Sequence, residues 1–199
     1  MANYDKAYKL LERWENRGNI VYSQIKQDKG GETVYGVARK LHPNNHIWGK
    51  VDKLKVKLHQ EYKEQGLSIE EYSKKFAEDI SLKINNDASI KQDAIMFFHT
   101  EFWLKLKCDI IPNQAFAENL FLLGVNAGLR RGIRVGQKAC GVNDDGILGK
   151  ITTNAFINAN NDNVKKFNEI EIEYYTSLVR KNPEYEIFRK GWLNRANAI

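Results

Sequence analysis

The chain has 199 residues, 42% of them hydrophobic and 28% charged, with three prolines. That composition excludes a disordered or low-complexity protein and suffices for one domain, or two small ones with a buried interior. A formal net charge of +6 and a pI near 9.1 call for an anionic partner, for which nucleic acid, anionic lipid and bacterial wall polymer all qualify.

In chain order, the opening MANYDKAYKLLERW mixes acids and bases and lacks the apolar core of a signal peptide. No later run reaches the roughly 20 apolar residues of a membrane span. The expectation is a chain made in the cytoplasm, without stable membrane insertion. Ala7, Leu10, Leu11 and Trp14 follow the i, i+3, i+4, i+7 spacing of a first helix, with Asn3 as its N-cap. NIVYSQI and ETVYGV read as two strands that pair as a hairpin around KQDKGG, and a helix is expected to start directly after them. Ser68-Ile-Glu-Glu71 is a capping box, after which Ile69, Tyr72, Phe76, Ile80 and Ile84 run down one face. Ser89-Ile-Lys-Gln92 reads as a second box, opening an aromatic-rich helix through Phe97, Phe98 and Trp103. Pro112 starts a helix that is apolar nearly all round and therefore central. Further helices are expected at about 129–140, 150–159, 163–181 and 184–196.

Cys108 and Cys140 form no C-x-x-C motif and read as free core residues, and the four histidines are too scattered to suggest a metal site. The basic residues are dispersed, LRRGIR at 129–134 being the densest cluster, which argues against a nucleic-acid-binding face.

The chemistry concentrates near the N-terminus. Glu15 lies one turn beyond Leu11, at the C-terminal end of the first helix. An apolar rim and the negative end of the helix dipole both disfavour a charged carboxylate, which would raise its pKa toward that of a general acid. Spacing alone fits an ordinary exposed helix-end glutamate equally well. Gly30 and Gly31 permit positive φ and close approach of a ligand, so the turn can present Asp28 and Thr33 on one surface, although DKGG by itself also fits a plain hairpin turn. A helix-end glutamate with a loop aspartate and a threonine suits glycoside hydrolysis, one group protonating the leaving oxygen and the others holding water or stabilising the oxocarbenium-like charge. Trp48, Trp103 and Trp192 could stack on sugar faces, yet a tryptophan at helical spacing is more often a core residue.

These residues carry a resemblance. WEN followed by DKGGETVYGV resembles the N-terminal signature of the glycoside hydrolase family 108 muramidases, a lysozyme-like family of phage endolysins and proteins labelled secretion activators. The family typically shows Glu-Gly-Gly and then Asp-x-Gly-Gly-x-Thr-x-Tyr-Gly-Ile. This chain matches at Glu15, Asp28, Gly30, Gly31, Thr33, Tyr35 and Gly36, has Val37 for the isoleucine, and departs in reading ENRGN after the helix. EFWLKLKCDIIPNQAFAENLFLLGVNAG is similar to the family's Tyr/Phe-Trp segment and the helix ending in Val-Asn-x-Gly. GIRVGQKACGVNDDGILGKITTNAF and FRKGWLNRAN are similar to its peptidoglycan-binding-type region and closing Phe-x-x-Gly-Trp-x-x-Arg.

The resemblance implies a mainly α, α+β lysozyme-like fold: a helical bundle with a small N-terminal β-hairpin beside the active-site helix. It implies a catalytic region at 1–108 and a helical peptidoglycan-binding-type region at 109–199. It implies Glu15 as general acid, Asp28 and Thr33 as catalytic partners, Tyr35, Trp103 and Asn126 as substrate-binding residues, and Gly30, Gly31 and Gly36 as turn residues. The implied enzyme is a lysozyme-type N-acetylmuramidase, without cofactor or metal, acting as a monomer on peptidoglycan glycan strands in the periplasm or cell wall. The alternative is a catalytically weakened peptidoglycan-binding protein that assists secretion, for which ENRGN is the distinguishing feature.

Overall fold

The computed structural model describes residues 1–15, 21–24 and 31–197, with Trp14 and Glu15 described through their backbone alone. Among these residues the chain is mainly helical with one small antiparallel sheet, the α+β class expected from the sequence. It divides into two compact units, Leu10–Phe97 on one hand and Met1–Lys9 with Phe98–Ile199 on the other. The helix α1 (Tyr4–Glu15) is capped by Asn3, whose Oδ1 accepts the Lys6 N–H at 3.0 Å, and it buries Ala7, Tyr8 and Leu11.

In the unit Leu10–Phe97, the strands β1 (Tyr22–Gln24), β2 (Glu32–Val34) and β3 (Val37–Ala38) pair in sequence order. The two expected strands do pair, with Tyr22 opposite Val34 and Gln24 opposite Glu32. ETVYGV, however, is two strands and a turn. Tyr35 at φ +48° and Gly36 at φ +82° form the two-residue connection between β2 and β3, and positive φ at both positions is what a type I′ hairpin requires. Because Val37 and Ala38 are taken up by β3, the helix expected there is displaced. The backbone turns through 39–46 before α2 (Ile47–Glu64) begins, with Asn45 Oδ1 accepting the Ile47 N–H at 3.0 Å.

The helix α3 (Ile69–Asn85) starts at the Ser68 capping box as expected and buries Ile80 and Ile84, while Ile69 in its first turn is exposed. It packs against α2 and carries β1, since the Tyr22 N–H donates to Ser81 Oγ at 3.2 Å and the Tyr22 ring meets Phe76 edge-on at 5.8 Å. The second expected box is not a box. The helix α4 (Ala88–Phe98) starts one residue before Ser89, and Asp87 is its cap, accepting the Ser89 N–H at 3.0 Å.

In the other unit, Tyr4 packs on Trp103 and Phe121, and Trp103 ends a π-helical turn, His99–Trp103. Asn113, not Pro112, caps α5 (Gln114–Ala127), accepting the Phe116 N–H at 3.0 Å. Every residue from Phe116 to Phe121 is buried, so α5 is central, as its uniform apolarity predicts. Gly128 at φ +91° links α5 to α6 (Leu129–Ala139), and the two helices cross closely. A Cβ on Gly132 would stand 3.1 Å from Leu120 O and 3.2 Å from Gly124 N, backbone atoms that have no room to retreat. The helices α7 (Lys150–Ile157), α8 (Asn161–Lys181) and α9 (Glu186–Ala196) complete the unit. Cys108 and Cys140 are free thiols, and burial pushes both pKa values up, Cys140 to about 11.

Two polar clusters with buried centres lie here. The buried Gln137 amide donates to Asp145 Oδ1 at 2.8 Å and Thr152 Oγ1 at 2.9 Å and accepts the Gly146 N–H at 2.8 Å, which pins the turn between α6 and α7. Around α8, Asn126 Nδ2 donates to the Tyr175 hydroxyl at 2.6 Å and Arg195 donates to Asn126 Oδ1 at 3.1 Å. Beside them, burial pushes the Glu171 carboxyl up to about 7, against the opposing hydrogen bond from Tyr175 and the charge of Arg195.

A carboxyl held protonated in the fold but ionised in the unfolded chain contributes stability that is present at low pH. That contribution is lost as pH rises from about 4.5 through about 7, and it amounts to roughly 3 kcal/mol. Glu171→Gln is expected to remove this decline, so that melting temperatures of variant and parent diverge as pH rises from about 4.5 to about 7, with the variant higher above that range; parallel curves from pH 4 to 8 would contradict it. In the hairpin unit, Gly31 has φ +70°. Gly31→Val is expected to cost about 1–2 kcal/mol in a denaturant titration. Gly191→Ala, where no atom lies within 4 Å of the added Cβ, is expected to cost nothing.

Candidate active site

The site residues described in the unit Leu10–Phe97 are arranged by the hairpin. Along β2 the side chains alternate, with Glu32 and Val34 buried and Thr33 half-buried on the opposite face. The register places Ser23 directly across from Thr33, and the two hydroxyls hydrogen-bond at 2.5 Å. Two hydroxyls have two protons, and their mutual bond consumes one. The pair therefore keeps one O–H free to donate, together with unused lone pairs, so it can orient a water or a sugar hydroxyl.

The face behind Thr33 is fixed electrostatically. Glu32 accepts from Lys55 at 2.8 Å and lies 2.8 Å from Arg39 Nε in an ionic contact without hydrogen-bond geometry, while Arg39 grips Asp52 through both terminal nitrogens at 3.1 and 2.6 Å. Arg39 also lies 4.5 Å over the Trp48 ring, and the Trp48 indole donates to His42 O at 2.8 Å. Trp48 is thus a wall of this cluster.

Tyr35 leaves the hairpin at its tip and donates its hydroxyl to Asn85 Oδ1 at 2.8 Å, joining the turn to the end of α3. Its pKa is raised by burial, then by the negative charges of Glu12 and Asp87. Glu12 pairs with Lys91 at 2.6 Å and is one turn before Glu15. The last turns of α1 and the hairpin tip are therefore neighbours within this unit. Glu15 is the final residue of α1, which agrees with the helix end read from the sequence; its side chain, Asp28 and Gly30 lie outside the described residues. Gly31 and Gly36 both have positive φ.

The two remaining expected residues belong to the other unit. Trp103 is 1% exposed, with Tyr4 at 5.5 Å and Phe121 at 5.7 Å, so its ring faces are taken up by core contacts and leave none for a sugar. Asn126 spends its amide on Tyr175 and Arg195, a link between α5, α8 and α9. Sequence reasoning missed Ser23, Glu12 and Asn85. Ser23 could have been found from strand register, since it is the polar residue that alternation places opposite Thr33; Asn85 carries no sequence signal. Among the described residues no three His, Cys, Asp or Glu side chains gather as a metal site requires, and no helix is long and apolar enough to cross a membrane.

The chain matches two family models, "Glycosyl hydrolase 108" over residues 10–128 and "Predicted Peptidoglycan domain" over residues 131–197. No curated protein matches it significantly. Among solved structures it is similar to that of Brucella abortus SagA, with a TM-score of 0.60 and 18% identity over 98% of this chain and 90% of that one, a likeness of fold. Since the hydrolase model spans most of the chain, including all the hairpin residues, this protein belongs to the glycosyl hydrolase 108 family, with a peptidoglycan-type region following.

Proposed function

We propose that the protein is an N-acetylmuramidase that hydrolyses the β-1,4 bond between N-acetylmuramic acid and N-acetylglucosamine in peptidoglycan, acting in the periplasm or cell wall. The observation that carries this reading is the approach of two elements: α1 ends at Glu15, and the charge of Glu12 one turn earlier acts on Tyr35 in the hairpin that holds the Thr33–Ser23 hydroxyl pair. Glu15 protonates the leaving glycosidic oxygen. A helix C-terminus disfavours the ionised carboxylate and so favours the protonated acid that this step needs. Asp28 stabilises the positive charge that develops at the sugar ring or activates the attacking water, and the free O–H of the hydroxyl pair orients that water. The family membership and the C-terminal region support peptidoglycan as the substrate.

One sequence feature favours a second reading. ENRGN replaces the family's Glu-Gly-Gly immediately after the catalytic helix, which fits a peptidoglycan-binding protein with weakened catalysis that assists secretion. Mass spectrometry of peptidoglycan incubated with the protein separates the two: muropeptides with N-acetylmuramic acid at the new reducing ends support the muramidase, and binding without release of reducing ends supports the alternative.

Glu15→Gln is expected to leave the melting temperature unchanged and to lower hydrolysis by roughly 10²–10⁴-fold, the usual contribution of a positioned acid. A folded variant retaining half the parent rate would remove Glu15 from the mechanism.

Asp28→Asn is expected to lower turnover while leaving peptidoglycan binding nearly unchanged, because its interaction strengthens only in the transition state. Thr33→Ala should lower turnover as well, and the double variant should lose less than the product of the two single losses, since both groups act on one water. Strictly multiplicative losses would show that the two residues act separately.

A further inference from the structure

The helices α6 and α8 enclose a pocket of about 220 Å³ lined by Arg131, Arg134, Lys138, Asp144, Glu173 and Tyr174, among others. Its charges are not all paired. Arg134 and Lys138 both answer to Asp144, at 3.0 and 3.6 Å, so one carboxylate serves two cations. The Arg131 guanidinium lies 4.5 Å over the Tyr174 ring, and among the described residues it has no acidic partner. Across the pocket, Glu173 on α8 is exposed and likewise has no ion pair or hydrogen bond among the described residues. One uncommitted cation and one uncommitted anion thus line the same small space.

These features define a ligand. The Arg131 guanidinium is planar by resonance, and its position over Tyr174 restricts its orientation, so it is pre-ordered to grip a carboxylate with two parallel hydrogen bonds. Glu173 supplies the complementary site for an ammonium group. A phosphate would find Arg131 but would leave Glu173 without a partner, whereas a zwitterion satisfies both. The volume falls below the roughly 300–1,000 Å³ of clefts that hold drug-sized molecules, so the pocket accepts the end of one amino-acid residue and is too small for a disaccharide.

We propose that this pocket binds the zwitterionic end of a diamino-dicarboxylic residue, diaminopimelate, in the peptide stem of peptidoglycan, with Arg131 on the carboxylate and Glu173 on the ammonium. The inference rests on the reading of the C-terminal region as peptidoglycan-binding and extends it from the glycan strand to the stem peptide.

The test is calorimetric titration of the full chain with three probes: the free tripeptide L-alanyl-γ-D-glutamyl-meso-diaminopimelate, the same tripeptide ending in L-lysine, and inorganic phosphate. The lysine peptide keeps the ammonium and lacks the side-chain carboxylate, so it should bind about tenfold more weakly, and phosphate should not compete. Arg131→Gln should weaken the diaminopimelate peptide by about tenfold and abolish the discrimination, and Glu173→Gln should weaken both peptides, with melting temperatures confirming that the variants fold. Equal affinity for the two peptides, an unaltered Arg131→Gln variant, or competition by phosphate would each overturn the proposal. Because the probes contain no glycan, the outcome separates from the muramidase reading. Absent tripeptide binding beside intact peptidoglycan hydrolysis sinks this inference alone, whereas tripeptide binding without hydrolysis sinks only the other.

Discussion

The placement of Thr33 depends on the residue before it. Glu32 is a buried carboxylate, and a carboxylate leaves water at a cost that only close cations and hydrogen bonds offset. Lys55 comes from α2 and Arg39 from the segment after β3, so the ion cluster ties the second strand to a helix and to the exit of the hairpin at once. Side chains on a strand alternate, so a slip of one residue would push Thr33 into this cluster and turn Glu32 outward, leaving Lys55 without its carboxylate and Arg39 with Asp52 alone. The register is thereby fixed by a charge requirement, and the Ser23–Thr33 hydroxyl pair on the opposite face inherits its position from it. The type I′ turn at Tyr35–Gly36 serves the same end, since it delivers β3 and Arg39 back alongside β2.

The C-terminal unit solves a different problem, that of joining short helices around one buried helix. The surface of α5 is occupied on all sides, and α6 reaches it closely because Gly132 and Gly124 bring backbone against backbone. A turn as tight as the one between α6 and α7 leaves backbone groups to be satisfied. The Gln137 side chain does this with both its donor and its acceptor, helped by Asp145 Oδ1, which takes the Ile147 N–H at 2.8 Å. The motif that in sequence reads as Gln followed by Asp-Gly-x-x-Gly-x-x-Thr is, in physical terms, a hydrogen-bond lock: Gln137 is its centre, Asp145 and Thr152 are its arms, and Gly146 supplies the positive φ.

Much of this was legible in the sequence, and the failures have identifiable causes. Helices with strong apolar spacing or a local cap were located correctly, as at Asn3 and Ser68, because their signals are short-range. ETVYGV was misread as one strand because Tyr at positive φ is uncommon, and only the pairing of Val37 and Ala38 with β2 imposes it. The second capping box failed because Asp87 competes with Ser89 for the same role two residues earlier and wins. The helix expected directly after ETVYGV starts only at Ile47, and the charged residues of α2 dilute the stripe formed by Ile47, Val51, Leu58 and Tyr62 that would have placed it. In the site, hairpin partners follow from register, but Asn85 and Glu12 arrive from other elements by tertiary packing, which no local pattern encodes.

The aromatic residues show why composition misleads about carbohydrate recognition. Four tryptophans in a chain that reads as sugar-cleaving invite the idea of stacking platforms. Of the three considered, Trp103 is enclosed by Tyr4 and Phe121, Trp48 is held by Arg39 and by its bond to His42 O, and Trp192 stacks on Tyr175 at 5.1 Å and Phe188 at 5.6 Å. The rings of Trp48 and Trp103 are buried, and that of Trp192 is half-buried with its faces occupied by Tyr175 and Phe188. In the unit that bears the hairpin, the smaller rings of His59, Tyr72 and Phe76 are among those that stay partly open, and with Gln24 and Lys55 they border an open groove of about 580 Å³ at the end of β1. In the hairpin, too, the polar groups are set by packing: the Ser23–Thr33 hydroxyl pair is held in register by the buried charge of Glu32 on the opposite face.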